Sequence, residues 1–170
     1  IGVGLGAGRA SSENSYSKLS ATPTLFANLR SLTIKGGEPL LSKDLEPFLN
    51  LLVTQGFASK INLNVTTNGT IPPNQRLLGL LSEFGSGRIT LSVDGTGKLF
   101  EYIRVGKSFP LETVETSIRL YRELEKIRLT IYPTIQAYNI FNLEELYGWS
   151  QEVKVPITYR HILNSPAHLS

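Results

Sequence analysis

Short β-like runs in this chain give way, one after another, to stretches with helical spacing. That alternation constrains the fold more than any other feature. Leu32–Lys35, Ile61–Val65, Ile89–Val93, Leu129–Thr134 and Ile157–Ile162 read as strands. Between them lie apolar faces at helical spacing, such as Leu45, Phe48, Leu49, Leu52 and Val53. Helices are expected from about Ser15, from a Ser42 cap to a Gly56 stop, after Pro72-Pro73, over 110–126, and from an Asn142/Glu145 capping box through Leu146 and Trp149. Strands that alternate with helices form βα units around a parallel sheet.

The strand ends carry the chemistry. Ser31-Leu32-Thr33-Ile34-Lys35 runs into Gly36-Gly37-Glu38-Pro39. Paired glycines leave bare backbone that a ligand can approach, and in α/β folds ligands bind at the C-terminal strand ends. Glu38 offers a carboxylate that can accept hydrogen bonds from an ammonium group. By itself the tetrapeptide is also an ordinary strand-to-helix turn. Thr67-Asn68-Gly69 ends the next strand and alone reads equally as a tight turn. Ser92-Val93-Asp94-Gly95 follows the third, then Phe100-Glu101-Tyr102-Ile103-Arg104. Ser92 and Asp94 alternate onto one face, and a polar pair aimed inward needs a partner; a ribose, with two hydroxyls, would supply one. Phe100 and Tyr102 are expected to anchor a short helix, and the Arg104 guanidinium matches a carboxylate bidentately, a ligand's or that of Glu101. Gln136 and Asn139 follow the next strand in Thr134-Ile135-Gln136-Ala137-Tyr138-Asn139, as hydrogen bonders or as plain loop residues.

These motifs, in this order, resemble the radical S-adenosylmethionine (radical SAM) superfamily, and within it the subgroup carrying a C-terminal twitch extension. The resemblance covers most of the chain, with no counterpart of that extension. It implies a partial (β/α)6 TIM-like barrel, a single core domain over 1–170 with βα units over 31–162, and a first strand upstream of Ile1. It also implies that Gly36, Gly37, Glu38 and Pro39 hold the amino end of SAM, with Thr67 and Asn68 beside it. By the same resemblance Ser92 would meet the ribose and Arg104 the carboxylate; Asp94 beside Ser92, and Gln136 and Asn139 as short-range hydrogen bonders suited to adenine or substrate, are further candidates read from the residues themselves. In the family a reduced [4Fe–4S] cluster, fed by an electron donor, cleaves SAM to a radical that abstracts hydrogen from a small-molecule or peptide substrate.

The chain departs from the family where the cluster is held. Family members bind iron through three cysteines spaced C-x3-C-x2-C, and this chain has 0 Cys and 0 Met. Residues 1–22, rich in Gly, Ser and Ala, occupy the place of the cluster loop. Val3, Ala7 and Ala10 fall at the ligand spacing, and none has a thiolate. Either this is a degenerate member, or sulfur has been removed by design, or the register of the first ten residues differs. Radical catalysis through a cysteine-bound cluster is not expected of the chain as written.

Two other readings stand beside this one. A non-catalytic module would bind SAM or a related nucleoside without turnover. A barrel hydrolase would use Glu38 and Asp94 as an acid–base pair, which requires them to converge across one cleft. The loose Gly2-x-Gly4…Ala7 resemblance to a dinucleotide fingerprint has neither a preceding strand nor an acid about twenty residues on. His161 and His168 have no acids clustered at ligand spacing, so no metal site is expected. A net charge of +3 without basic runs does not point to nucleic acid. No apolar run nears the ~18 residues of a membrane span. A cytoplasmic protein is expected, and the start at Ile1 suits a fragment of a longer one.

Overall fold

The computed structural model describes residues 26–103 and 110–159, and the backbone of 2–6. Five parallel strands form one sheet in sequential order: β1 (Gly2–Gly6), β2 (Ser31–Lys35), β3 (Asn62–Thr67), β4 (Ser86–Leu91) and β5 (Ile127–Ile131). The described helices are α1 (Leu45–Thr54), α2 (Gln75–Ser82), α3 (Gly97–Ile103), α4 (Leu111–Tyr121) and α5 (Leu143–Glu152). Neighbouring parallel strands that follow in sequence need crossovers of one hand, which bring the helices onto one face. The result is a sector of a (β/α) barrel, an α/β fold with its helices outside.

The burial pattern records this. Leu32, Ile34, Leu63, Val65, Ile89 and Leu91 are buried on the helix side of the strands. They pack with Phe48, Leu49 and Leu52 of α1, Leu77 and Leu81 of α2, and Val114, Ile118 and Tyr121 of α4. The alternate strand residues are Ser, Thr, Asn, Lys and Arg and lie half-buried or exposed for the most part. Trp149 Nε1 donates to Glu115 Oε1 at 2.9 Å and ties α5 to α4.

Several local expectations are corrected. Gly2–Gly6 pairs in register with Ser31–Lys35, so the strand beside β2 lies within the chain and not upstream of Ile1. Val3 therefore sits in a strand opposite Leu32, inside the stretch read as cluster loop. Ala7, Ala10, the helix from about Ser15, Arg104, His161 and His168 lie outside the described residues. Ser42 does not cap α1: Asp44 holds the cap position, and Ser42 Oγ accepts only from Asp44 N, at 3.4 Å. Pro72-Pro73 precedes α2, which is capped by Asn74 Oδ1 accepting from Leu77 N at 2.7 Å. The strand expected over Ile89–Val93 ends at Leu91, and the one over Leu129–Thr134 ends at Ile131. Of Ile157–Ile162, Ile157 makes a parallel bridge to Ile131, the point where a sixth strand would begin. Phe100 is buried and anchors α3, whereas Tyr102 is exposed and its ring meets that of Tyr138 at a tilt, centroids 6.0 Å apart.

Candidate functional site

The C-terminal ends of the strands form a rim. At β2 the chain leaves the sheet through Gly36 (φ 102°) and Gly37 (φ 54°), both in the region that only glycine adopts without strain. A side chain added at Gly37 would meet nothing within 4 Å, so the backbone there faces open space. Pro39, buried, begins a single 3-10 turn over Pro39–Leu41 that leads towards α1.

Glu38 does not present its carboxylate to that space. Its Oε1 accepts from Thr67 Oγ1 at 2.8 Å and from Leu40 N at 3.2 Å, and its Oε2 accepts from Asn68 N at 2.8 Å. About three of the four acceptor positions of a carboxylate are thus used by the protein. The side chain thus acts as a strut joining the ends of β2 and β3. Thr67, 1% exposed, also accepts from Gly69 N at 3.1 Å, which fixes the turn. Asn68 Oδ1 accepts from Thr70 N and Thr70 Oγ1 at 2.8 and 2.7 Å. Its side-chain N–H groups have no partner among the described residues and remain at the rim as donors.

A second strut joins the ends of β4 and β5. Asp94, 7% exposed, accepts from Thr134 N at 2.7 Å through Oδ1. Asn139, fully buried, donates through Nδ2 to Asp94 O and Thr134 O, each at 2.8 Å. Its Oδ1 accepts from Gln136 N at 2.7 Å. Backbone is thus one partner of Asp94, and Asn139 spans the two strand ends. Ser92 and Gln136 are half-buried at the same rim. Glu38 and Asp94 each accept from a backbone N–H, of Asn68 and of Thr134.

The expected capping box is replaced by a longer-range contact. Asn142 makes no side-chain cap bond. Instead its Oδ1 accepts from Thr96 N at 3.0 Å, and Glu145 Oε1 accepts from Thr96 Oγ1 at 2.6 Å. Asn142 Nδ2 donates to Glu145 Oε2 at 2.7 Å and completes the clamp. Thr96, Asn142 and Glu145 hold the loop after β4 down onto α5. Sequence reasoning missed Thr96; its place two residues after Asp94, just before a glycine, is the one local signal.

No family model matches the chain. A GTP 3',8-cyclase of Synechococcus sp. (strain CC9902) is 40% identical over 67 residues, 39% of this chain and 19% of that protein. SuiB of Streptococcus suis superposes with a TM-score of 0.59 and 15% identity, over 91% of this chain and 35% of that one. A histidine-tagged anSMEcpe with bound AdoMet gives a TM-score of 0.64 and 19% identity, over 94% of this chain and 51% of that one. A third structure, SuiB bound to its precursor peptide SuiA, gives 0.54 and 17% over 90% of this chain and 33% of that one. The chain thus spans about half or less of the length of these proteins. At these identities the structural likeness shows a shared fold, that of a partial TIM-like barrel.

Proposed function

We propose that this chain is a core of the radical SAM superfamily that binds S-adenosylmethionine at the rim formed by Gly36, Gly37 and Asn68. The single observation that carries this is the open backbone at Gly37, held at the C-terminal end of β2 by the Glu38 strut. The solved structures that share the fold are those of radical SAM enzymes, some with bound SAM, which supports the reading. On this reading the glycine carbonyls accept from the SAM ammonium, and Asn68 donates to its carboxylate. Ser92 and Gln136 lie on the ribose and adenine side, and Arg104 supplies a guanidinium for the carboxylate.

The residues do not fit the iron–sulfur cluster. The chain has no thiolate, and Val3 is a strand residue. Reductive cleavage of SAM is the chemistry a cluster would supply, and we derive no step through one. The chain is a SAM-binding module as written. For the substrate of a complete enzyme, the similar proteins name GTP and peptides.

Calorimetric titration of SAM into the folded chain tests this, with Gly37→Ala, Asn68→Ala and Arg104→Ala alongside. Saturable binding that each substitution weakens is the expected result. No binding by a chain shown to be folded, or equal affinity in all variants, would refute the assignment.

A further inference from the structure

The face of the sheet turned away from the helices has a charge pattern that the SAM rim does not use. The strand residues on it are Ser31, Thr33 and Lys35 of β2, Asn62, Asn64 and Thr66 of β3, Ser86, Arg88 and Thr90 of β4, and Arg128 and Thr130 of β5. None is a carboxylate. Thr33, Asn64, Arg88 and Arg128 are successive register partners across the four strands, so the two arginines stand side by side. Neighbouring parallel strands lie about 4.8 Å apart, and like charges placed opposite each other on one face destabilise a sheet.

Nothing among the described residues offsets this. Arg88 and Arg128 are both exposed, and neither makes a hydrogen bond or ion pair there. The neutral neighbours, by contrast, bond one another: Asn64 Nδ2 donates to Asn62 Oδ1 at 2.9 Å, and Asn62 Nδ2 to Ser86 Oγ at 2.7 Å. Arg128 also borders a cavity of about 370 Å³ beside β5, which Arg122 and Lys154 line and no carboxylate enters. Arg122 is used there as a donor to the Val153 and Lys154 carbonyls, so Arg128 and Lys154 are the cations left to the cavity.

We infer that Arg88 and Arg128 form a site for a phosphate-type oxyanion on the inner face of the barrel, the anionic handle of a substrate. Two planar guanidiniums present paired N–H donors, which match the several oxygens of a phosphoryl group better than the two of a single carboxylate. Both lie one pleat below the rim row of Thr66, Thr90 and Thr130, about 7 Å along the strands, within the reach of an extended arginine. The role as a substrate handle rests on the SAM reading above; the anion site itself does not.

The test is calorimetric titration with inorganic tripolyphosphate at fixed ionic strength, for the chain and for Arg88→Gln and Arg128→Gln, with SAM titrated separately into all three. Saturable tripolyphosphate binding should weaken about tenfold or more in each variant, as expected for loss of charge-assisted hydrogen bonds. SAM affinity should not change. In low-salt buffer without multivalent anions, both variants should unfold at the parent's temperature or above, because one of two like charges is gone; a merely structural arginine would lower it. Absence of saturable binding, undiminished affinity in both variants, or equal competition by chloride (an adventitious ion only) overturns the inference. SAM binding without tripolyphosphate binding sinks this inference alone. The reverse result supports the anion site and sinks the SAM assignment instead.

Discussion

Replacing Glu38 by alanine separates a strut from a ligand contact. The substitution removes the acceptor of three hydrogen bonds: Thr67 Oγ1 and Asn68 N at 2.8 Å, and Leu40 N at 3.2 Å. A hydrogen bond to a charged group contributes about 1.5–3 kcal/mol net. The carboxylate is half-buried, so water recovers part of the loss at Asn68 and Leu40. Thr67 is 1% exposed, and its O–H would be left without an acceptor. We expect Glu38→Ala to cost about 2–4 kcal/mol, and Glu38→Gln, which keeps one acceptor but no charge, about 1–2 kcal/mol. In a domain of this size each kcal/mol lowers the melting midpoint by about 2–4 °C, so the alanine variant should melt roughly 5–15 °C below the parent. Thermal unfolding followed by circular dichroism reads the stability, and SAM calorimetry below the variant's midpoint reads the site. A Glu38→Ala chain that melts with the parent and yet loses SAM affinity tenfold would refute the reasoning. The carboxylate would then act on the ligand itself.

Three further outcomes follow from the same bonds and contacts. Asn139→Ala removes three hydrogen bonds from a fully buried amide and should cost about 2–4 kcal/mol in urea unfolding. Gly87→Ala would place a methyl 2.4 Å from the Leu63 carbonyl oxygen of the neighbouring strand; a loss of about 2–4 kcal/mol or an insoluble chain is expected, and wild-type stability would contradict the register. Tyr121 carries a phenol pushed well above its usual 10.0, by burial first and by the Glu38 carboxylate second. The unfolded phenol ionises near pH 10 while the folded one stays neutral, so its share of stability is complete below that pH and lost as pH rises towards the folded value. Tyr121→Phe should therefore flatten the alkaline arm of a melting-midpoint profile above about pH 10, and an unchanged slope there would exclude Tyr121 as its source.

What could be read from the chain was local. The strands β2 to β5 were legible because apolar and polar residues alternate in Ser31–Lys35, Asn62–Thr67 and Ser86–Leu91, and each run ends at glycine or at a polar turn. The first strand was not, because Gly2, Gly4 and Gly6 have low β propensity; pairing with β2, settled far along the chain, makes it one. Asn142 and Glu145 have the spacing of a capping box, and nothing local says that Thr96 would reach them first. The same limit applies to the carboxylates. A glutamate at a glycine rim reads as a ligand group, and nothing local says that Thr67 and Asn68 of the next strand will also bond to it.

The way these groups are used determines how the rim can work. Glu38 links the ends of β2 and β3, and Asp94 with Asn139 links the ends of β4 and β5. Both links are made by the protein's own groups and fix the strand ends relative to one another, and fixed binding groups reduce the ordering cost of binding. Left open at the rim among the described residues are the backbone at Gly37 and the Asn68 amide donors. Substitutions at the struts Glu38 and Asp94 should register first in stability and only then in binding. Arg88 and Arg128, on the inner face below, are the reverse case: replacing either should leave the fold no weaker and remove a charge from the inferred anion site.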